Sequence, residues 1–221
     1  SFEDYELARR RFVFEELLTL QLSLLYLKSQ RKVEYGTPIR DLSPIQTFQR
    51  RLPFQFTGAQ QRVLDEISAD LTREIPMNRL VQGDVGSGKT ALAAAAMFTV
   101  ASNGFQAALM APTEILAKQH YESFQKMLGN TCRICLLTGS TPAAQKREIY
   151  QDIASGEIGI IIGTHAIIQR EVEYHNLVLV VTDEQHRFGV GQRSAIAAKG
   201  ENPHVLVMSA TPIPRTLALI L

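Results

Sequence analysis

The residues best suited to chemistry form a glycine-rich segment in the first half of the chain. It fits the pattern Gly-x-x-x-x-Gly-Lys-Ser/Thr and comprises Gly83, Asp84, Val85, Gly86, Ser87, Gly88, Lys89 and Thr90. An apolar run ending at Val81 precedes it, and a helical pattern from Ala91 follows it. Backbone N–H groups of such a loop, with the helix N-terminus, bind phosphate. We therefore predict that Lys89 bridges the β- and γ-phosphates of a nucleotide and that the Thr90 hydroxyl binds Mg²⁺.

Two adjacent carboxylates follow a second apolar run. Asp183 and Glu184 open the sequence Asp-Glu-Gln-His after the apolar residues 177–181. If that run is a strand of a parallel sheet, its end lies beside the predicted phosphate loop, Gly83–Thr90. We predict that Asp183 holds Mg²⁺ through water and that Glu184 orients or deprotonates the attacking water. Lys89, Asp183 and Glu184 are thus the predicted catalytic residues.

A third candidate is the sequence Ser209-Ala210-Thr211, which follows the apolar run 205–208. Its hydroxyls could hydrogen-bond the acidic segment or a γ-phosphate. An ordinary turn before Pro212 would use the same residues. Taken alone, the residues leave both interpretations open.

From Pro53 onward, short apolar runs alternate with amphipathic stretches. The predicted strands are 80–81, 107–109, 134–137, 158–162, 177–181 and 205–208, and the clearest predicted helices are 91–101, 114–128 and 143–153. Apolar strands that alternate with helices indicate a parallel sheet covered by helices on both faces. We therefore predict an α/β domain over residues 53–221, with the carboxyl ends of its strands on one side.

Residues 1–52 are predicted to form a helical arm or linker. Apolar residues recur at helical spacing from Asp4 to about Lys32, and Tyr-Gly-Thr-Pro at 35–38 ends the helix. The run Arg9-Arg10-Arg11 could contact phosphates, although a solvated face with salt bridges to nearby glutamates is the simpler interpretation.

The composition of the chain excludes few functional classes. The chain has 221 residues and a formal net charge of +1, which argues neither for nor against nucleic acid. Cys132 and Cys135 have Cys-x-x-Cys spacing, but no second ligand pair follows, so we expect core thiols in a reducing cytoplasm. The leucine-rich stretch 17–27 is too short and too polar to span a membrane, so no membrane partner is expected.

The order of these segments resembles that of superfamily-2 helicases. The phosphate loop, Asp183–His186 and Ser209–Thr211 correspond to helicase motifs I, II and III. Residues 54–60 look like the Q motif, and this resemblance makes Gln60 the reader of adenine and Phe54 a stacking residue. Three more segments resemble the strand-end motifs that touch the nucleic-acid backbone in this superfamily, and they are 111–117, 137–140 and 163–165.

The finer resemblance is to RecG-type helicases. It rests on phrases such as QGDVGSGKT, MAPTEILAKQH and DEQHRFGVGQR, and on the amphipathic helix before Pro53. It implies a RecA-like lobe of a cytoplasmic, monomeric helicase that uses ATP and Mg²⁺ and acts on branched or double-stranded DNA. It also implies a second RecA-like lobe with an arginine finger and an N-terminal wedge domain, so the chain alone is expected to hydrolyse ATP poorly.

Three other functional classes are open to a chain with a phosphate loop. A double-stranded DNA translocase of the transcription-repair coupling type is the nearest alternative by resemblance. A phosphoryl-transfer enzyme or switch, such as a kinase or a GTPase, is the second alternative, although a GTPase would need a base-reading Asn-Lys-x-Asp sequence, which does not occur. A nucleic-acid binding module without catalysis would not need both Lys89 and Glu184.

Arg187 and Arg193 could relay between nucleotide and DNA or be plain surface cations.

Overall fold

The computed structural model describes residues 2–30, 35–183 and 195–210, which fall into two separate units. The first unit is described by the long helix α1 (Phe2–Gln30), which confirms the helix predicted from Asp4 onward. On its exposed surface Arg9 pairs with Glu6 and Arg11 with Glu15, as expected for a solvated face. Nowhere in the described part of the chain is a helix long and apolar enough to cross a membrane.

The second unit is an α/β domain in which helices alternate with strands. Its α-helices are α2 (Ser43–Arg51), α3 (Gly58–Leu71), α4 (Lys89–Ser102), α5 (Glu114–Leu128) and α6 (Ala143–Ser155). Its strands are β1 (Asn78–Gln82), β2 (Gln106–Met110), β3 (Ile134–Leu137), β4 (Ile160–Gly163), β5 (Leu177–Asp183) and β6 (His204–Ser209), and a short 3₁₀ helix spans His165–Ile168. The strand order is β1-β6-β5-β2-β4-β3, and every neighbouring pair is parallel.

Apolar layers on both faces of the sheet explain why its central strands are almost wholly apolar. One layer joins β1, β2 and β5 to helices α2 to α5, and its fully buried members include Phe48, Met97 and Phe124. The other layer lies on the opposite face and includes Ile153 and Ile167. The predicted doubly covered parallel sheet is therefore confirmed.

Most predicted elements differ from the observed ones by one or two residues at an end. The strand predicted from Ile158 begins at Ile160, because the Ile158 N–H donates to the Asp152 carbonyl in the preceding turn. Residues 35–52, which composition placed in the arm, belong to the second unit. There Phe48 of α2 is fully buried, with its ring centroid 6.2 Å from that of Phe98 on α4.

A buried histidine joins this segment to the sheet. His204, at the start of β6, is fully buried. Its Nδ1 accepts from the Met77 N–H at 2.9 Å, so the proton lies on Nε2, which donates to the Thr37 carbonyl at 3.0 Å. Burial lowers the pKa of His204, against smaller opposing effects of the Thr37 bond and the charge of Asp70. A second proton on Nδ1 would break the bond to Met77, so the folded chain favours the neutral ring.

This arrangement predicts that the domain loses stability as the pH falls. The pKa of His204 is lower in the folded chain than in the unfolded one, so below about pH 6.5 the unfolded chain binds more protons. The free energy of unfolding should therefore decrease from about pH 6.5 downward, as urea melts at several pH values would measure. His204→Gln should flatten that slope relative to wild type, whereas the exposed His175→Gln variant should keep it. Equal slopes in the two variants would refute this assignment.

Candidate nucleotide-binding site

The place of β6 in the sheet determines where the predicted site residues meet. β6 lies between β1 and β5, with Ser209 beside Gln82 on one side and Met208 beside Asp183 on the other. Directly after β1, the Gly83 N–H donates to the Ser209 carbonyl at 3.2 Å. The phosphate loop and Asp183 therefore lie at the same carboxyl end of the sheet, separated by the width of one strand.

The phosphate loop has the backbone conformation that its glycines permit. Gly86 and Gly88 have φ values of +83° and +87°, a region that residues with a Cβ avoid. Gly88 is the N-cap of α4, and no side chain caps that helix end. A Cβ on Gly88 would also lie 2.4 Å from Gln60 Nε2. An uncapped N-terminus preceded by a tight glycine turn is the arrangement that binds a phosphate anion.

Lys89 lies inside this loop. Its ammonium group donates to the carbonyls of Gly83 at 2.5 Å and Asp84 at 2.8 Å. Thr90 follows it in the first turn of α4. Phosphate oxygens carry negative charge and accept hydrogen bonds more strongly than carbonyls do. The cation is thus held where an anionic ligand of the loop would bind it.

Gln60 connects the phosphate loop to the start of α3. The side-chain Oε1 of Gln60 accepts from the backbone N–H of Thr57 at 2.8 Å, and the backbone N–H of Gln60 donates to the Thr57 hydroxyl. These two bonds complete a capping box. The Nε2 of Gln60 donates to the Ser87 carbonyl at 2.8 Å. Phe54 is 47% exposed and meets Phe56 edge to face, with ring centroids 6.1 Å apart. Gln60 therefore holds the loop in place, in addition to the adenine contact that the sequence predicts.

Asp183 has a partner that no motif in the sequence indicates. Its Oδ2 lies 2.7 Å from Nε2 of His120 on α5, and both side chains are largely buried. A possible sequence signal is a histidine at a core position, since the rest of the buried face of α5 is Ala117, Phe124 and Leu128. Glu184, the predicted base, lies outside the described residues, as do Arg187, Arg193 and Thr211.

The predicted strand-end segments lie on the same side of the sheet. Gly163, the last residue of β4, pairs with Met110 of β2 and with Leu137 of β3. Glu114, at the start of α5, accepts from the Ser140 N–H at 3.0 Å and from its hydroxyl at 2.6 Å. These two bonds lower the pKa of Glu114 and fasten the loop after β3 to the loop after β2.

The two cysteines belong to the apolar layers. Cys135 is buried on β3, and Cys132 is half-buried against the opposite layer. Burial raises the pKa of Cys132 to about 11 and that of Cys135 to about 12, so both thiols stay protonated near neutral pH. No group of three or more histidine, cysteine, aspartate or glutamate side chains that could hold a metal ion occurs within residues 2–30, 35–183 and 195–210.

Known proteins share both this sequence and this fold. The chain is 52% identical over 218 residues to the ATP-dependent DNA helicase RecG of Streptococcus pneumoniae, covering 98% of this chain and 32% of that protein. It is 50% identical over 224 residues to RecG of Synechocystis, covering 99% of this chain and 27% of that protein. A solved structure of RecG bound to a three-way DNA junction matches all of this chain and 30% of that one, with a TM-score of 0.85 and 43% identity.

These comparisons agree with the motif order and the sheet. The chain spans about a third of the length of the curated relatives it matches. Its homology to RecG helicases covers α1 as well as the α/β domain, as the resemblance predicted. Residues 57–220, from the N-cap of α3 onward, match the DEAD/DEAH box helicase family. The chain therefore belongs to the DEAD/DEAH box helicases.

Proposed function

We propose that this chain is the ATP-binding motor lobe of a RecG-type helicase acting on branched or double-stranded DNA. The observation that carries the proposal is the position of β6, which brings the phosphate loop and Asp183 to the same end of the sheet. That arrangement suits nucleotide hydrolysis better than simple anion binding, because an acidic residue has no use in a site that only holds phosphate. The identity to RecG helicases favours this type over the transcription-repair coupling type.

The residues present fit ATP and Mg²⁺. Backbone N–H groups at the uncapped start of α4 and the Lys89 ammonium would bind the phosphates. The Thr90 hydroxyl and the Asp183 carboxylate supply the oxygen ligands that Mg²⁺ prefers, directly or through water. When bound, the ion would offset negative charge on the β- and γ-phosphates. Glu184 would then accept the proton of the attacking water.

DNA would contact the strand-end loops at the same end of the sheet. The bonds from Glu114 to Ser140 hold two of these loops together, and the third segment, 163–165, follows the adjacent strand β4. The RecG structure with a bound three-way junction supports branched DNA as the ligand. In this proposal the full-length protein is a cytoplasmic monomer, in which a second RecA-like lobe supplies the arginine finger and a wedge domain splits the junction.

The proposal is tested with the full-length protein. ATP turnover should require Mg²⁺ and should rise strongly when a three-way DNA junction is added. A linear duplex of the same composition is the matched control, because it offers the same backbone charge without a branch point. Turnover that no DNA stimulates would rule out the motor function. Equal stimulation by both DNAs would rule out the preference for branched DNA.

Lys89→Ala should lower ATP turnover by about 10²-fold or more and weaken nucleotide binding. The substitution removes the cation that is held inside the phosphate loop. Steady-state kinetics and binding of a fluorescent ATP analogue measure the two effects. Lys126→Ala removes an exposed lysine from α5 and should leave both quantities unchanged. Near-wild-type hydrolysis by Lys89→Ala would show that the loop lysine does not serve the phosphates.

Glu184→Gln should retain ATP binding but lower kcat by about 10²–10⁴-fold. The amide has nearly the same shape as the carboxylate but cannot accept the proton of the attacking water. Single-turnover hydrolysis, together with equilibrium binding, separates these two effects. Glu122→Gln, an exposed neutralisation on α5, serves as the control. If kcat is unchanged in Glu184→Gln, the base is another residue.

Gln60→Ala should reduce the preference for ATP over GTP by about tenfold, the effect of about one lost hydrogen bond. In the structure each end of the Gln60 amide makes one bond, to Thr57 or to Ser87. An amide oxygen and an NH₂ group can each make a second bond, so the adenine edge can still be read. Competition binding of the two nucleotides measures the preference, and Gln61→Ala on the same helix is the matched control. An unaltered ratio in Gln60→Ala would leave Gln60 with only its role in the loop.

A further inference from the structure

His120 occupies a core position where burial of an apolar side chain would cost less free energy. Along α5 its neighbours on the buried face are Ala117, Phe124 and Leu128, and His120 itself is only 8% exposed. Burial of a polar ring is unfavourable unless the ring is hydrogen-bonded. The partner that compensates it here is the carboxylate of Asp183, 63 residues away in sequence.

The chemistry of the pair defines its direction. An ionised carboxylate can only accept hydrogen bonds, so the proton must lie on Nε2 of His120, which donates to Oδ2 of Asp183 at 2.7 Å. A neutral imidazole with its proton on Nε2 is sufficient for this bond. Oδ1, the other carboxylate oxygen, is not part of this bond and is left for a further ligand.

The backbone of Asp183 is fixed, but its side chain needs a further support. As the last residue of β5, Asp183 pairs with Met208 of β6, and its neighbour Thr182 pairs with Met110 of β2. These pairings set the position of Cα, yet they leave rotation of the carboxylate about χ1 and χ2 undetermined. The bond from His120 restricts that rotation, because the donor is held by the packing of α5.

We infer that His120 is a positioning residue for the metal site: its Nε2–H holds the Asp183 carboxylate in the orientation in which Oδ1 binds Mg²⁺ or a Mg²⁺-bound water. This inference rests on the proposed function, since it gives Asp183 its role at the metal. His120 does not touch the nucleotide or the ion in this scheme. It acts only through Asp183, as residues that support metal ligands commonly do.

The test compares variants that differ in the donor at this position. His120→Leu removes the donor and keeps an apolar side chain in the core. His120→Gln keeps an N–H at about the same reach, whereas the shorter amide of His120→Asn falls short of Asp183. Phe124→Leu, one turn further along the same buried face, disturbs packing without touching Asp183 and is the matched control.

The primary readout is binding rather than turnover. In the full-length protein, the affinity for a fluorescent ADP analogue is measured across a series of Mg²⁺ concentrations. In His120→Leu the Mg²⁺ concentration for half-maximal strengthening of binding should rise about tenfold or more, the usual effect of losing a residue that supports a metal ligand. His120→Gln should stay near wild type. Phe124→Leu should lower the melting temperature but leave the Mg²⁺ midpoint unchanged.

The possible outcomes separate the inference from the function on which it rests. If His120→Leu and Phe124→Leu have the same Mg²⁺ midpoint as wild type, His120 is a core residue only and the inference is overturned. If His120→Leu does not fold, the amide pair decides, since equal midpoints in His120→Gln and His120→Asn overturn it as well. If Mg²⁺ fails to strengthen nucleotide binding in the wild-type protein, the metal site of the proposed function is itself wrong.

Discussion

The insertion of β6 between β1 and β5 is the constraint on which the site depends. β6 is the last described strand in sequence, yet it pairs with the first strand, and residue 78 lies beside residue 205. Only after this pairing does the Ser209 carbonyl accept from the Gly83 N–H and bring the phosphate loop next to the strand that ends at Asp183. The candidate nucleotide site therefore depends on the complete sheet, although the loop itself is local in sequence.

The same constraint explains which parts of the fold the sequence could predict. The strands are apolar on both faces, so their existence and their parallel arrangement follow from composition and alternation with helices. The order of the strands in the sheet does not follow, because an apolar run does not specify which strand it pairs with. The sequence left open whether residues 35–52 pack on the main domain or only lead into it, for a similar reason. Their fit to α4 depends on Phe48 meeting Phe98, a contact between two distant segments.

The candidate site likewise contains features that the sequence predicts and contacts that it does not. The turn and helix start of Gly83–Thr90 could be predicted, because the glycines, the lysine and the helix start lie within eight adjacent residues. The bond between His120 and Asp183 could not be predicted, because periodicity assigns His120 only to a buried face. Gln60 was predicted as an adenine reader by resemblance. Its bond to the Ser87 carbonyl adds a second role that the motif does not reveal.

Helix α5 contacts both the loop after β3 and the end of β5. Glu114, in its first turn, bonds Ser140 in the loop after β3, and His120, six residues later, bonds Asp183. At 1.5 Å per residue these two contacts lie about 9 Å apart along one helix axis. The buried residues Ala117, Phe124 and Leu128 pack this 15-residue helix into the core of the domain. The loop after β3 and the carboxylate of Asp183 are therefore both positioned by contacts from the same helix.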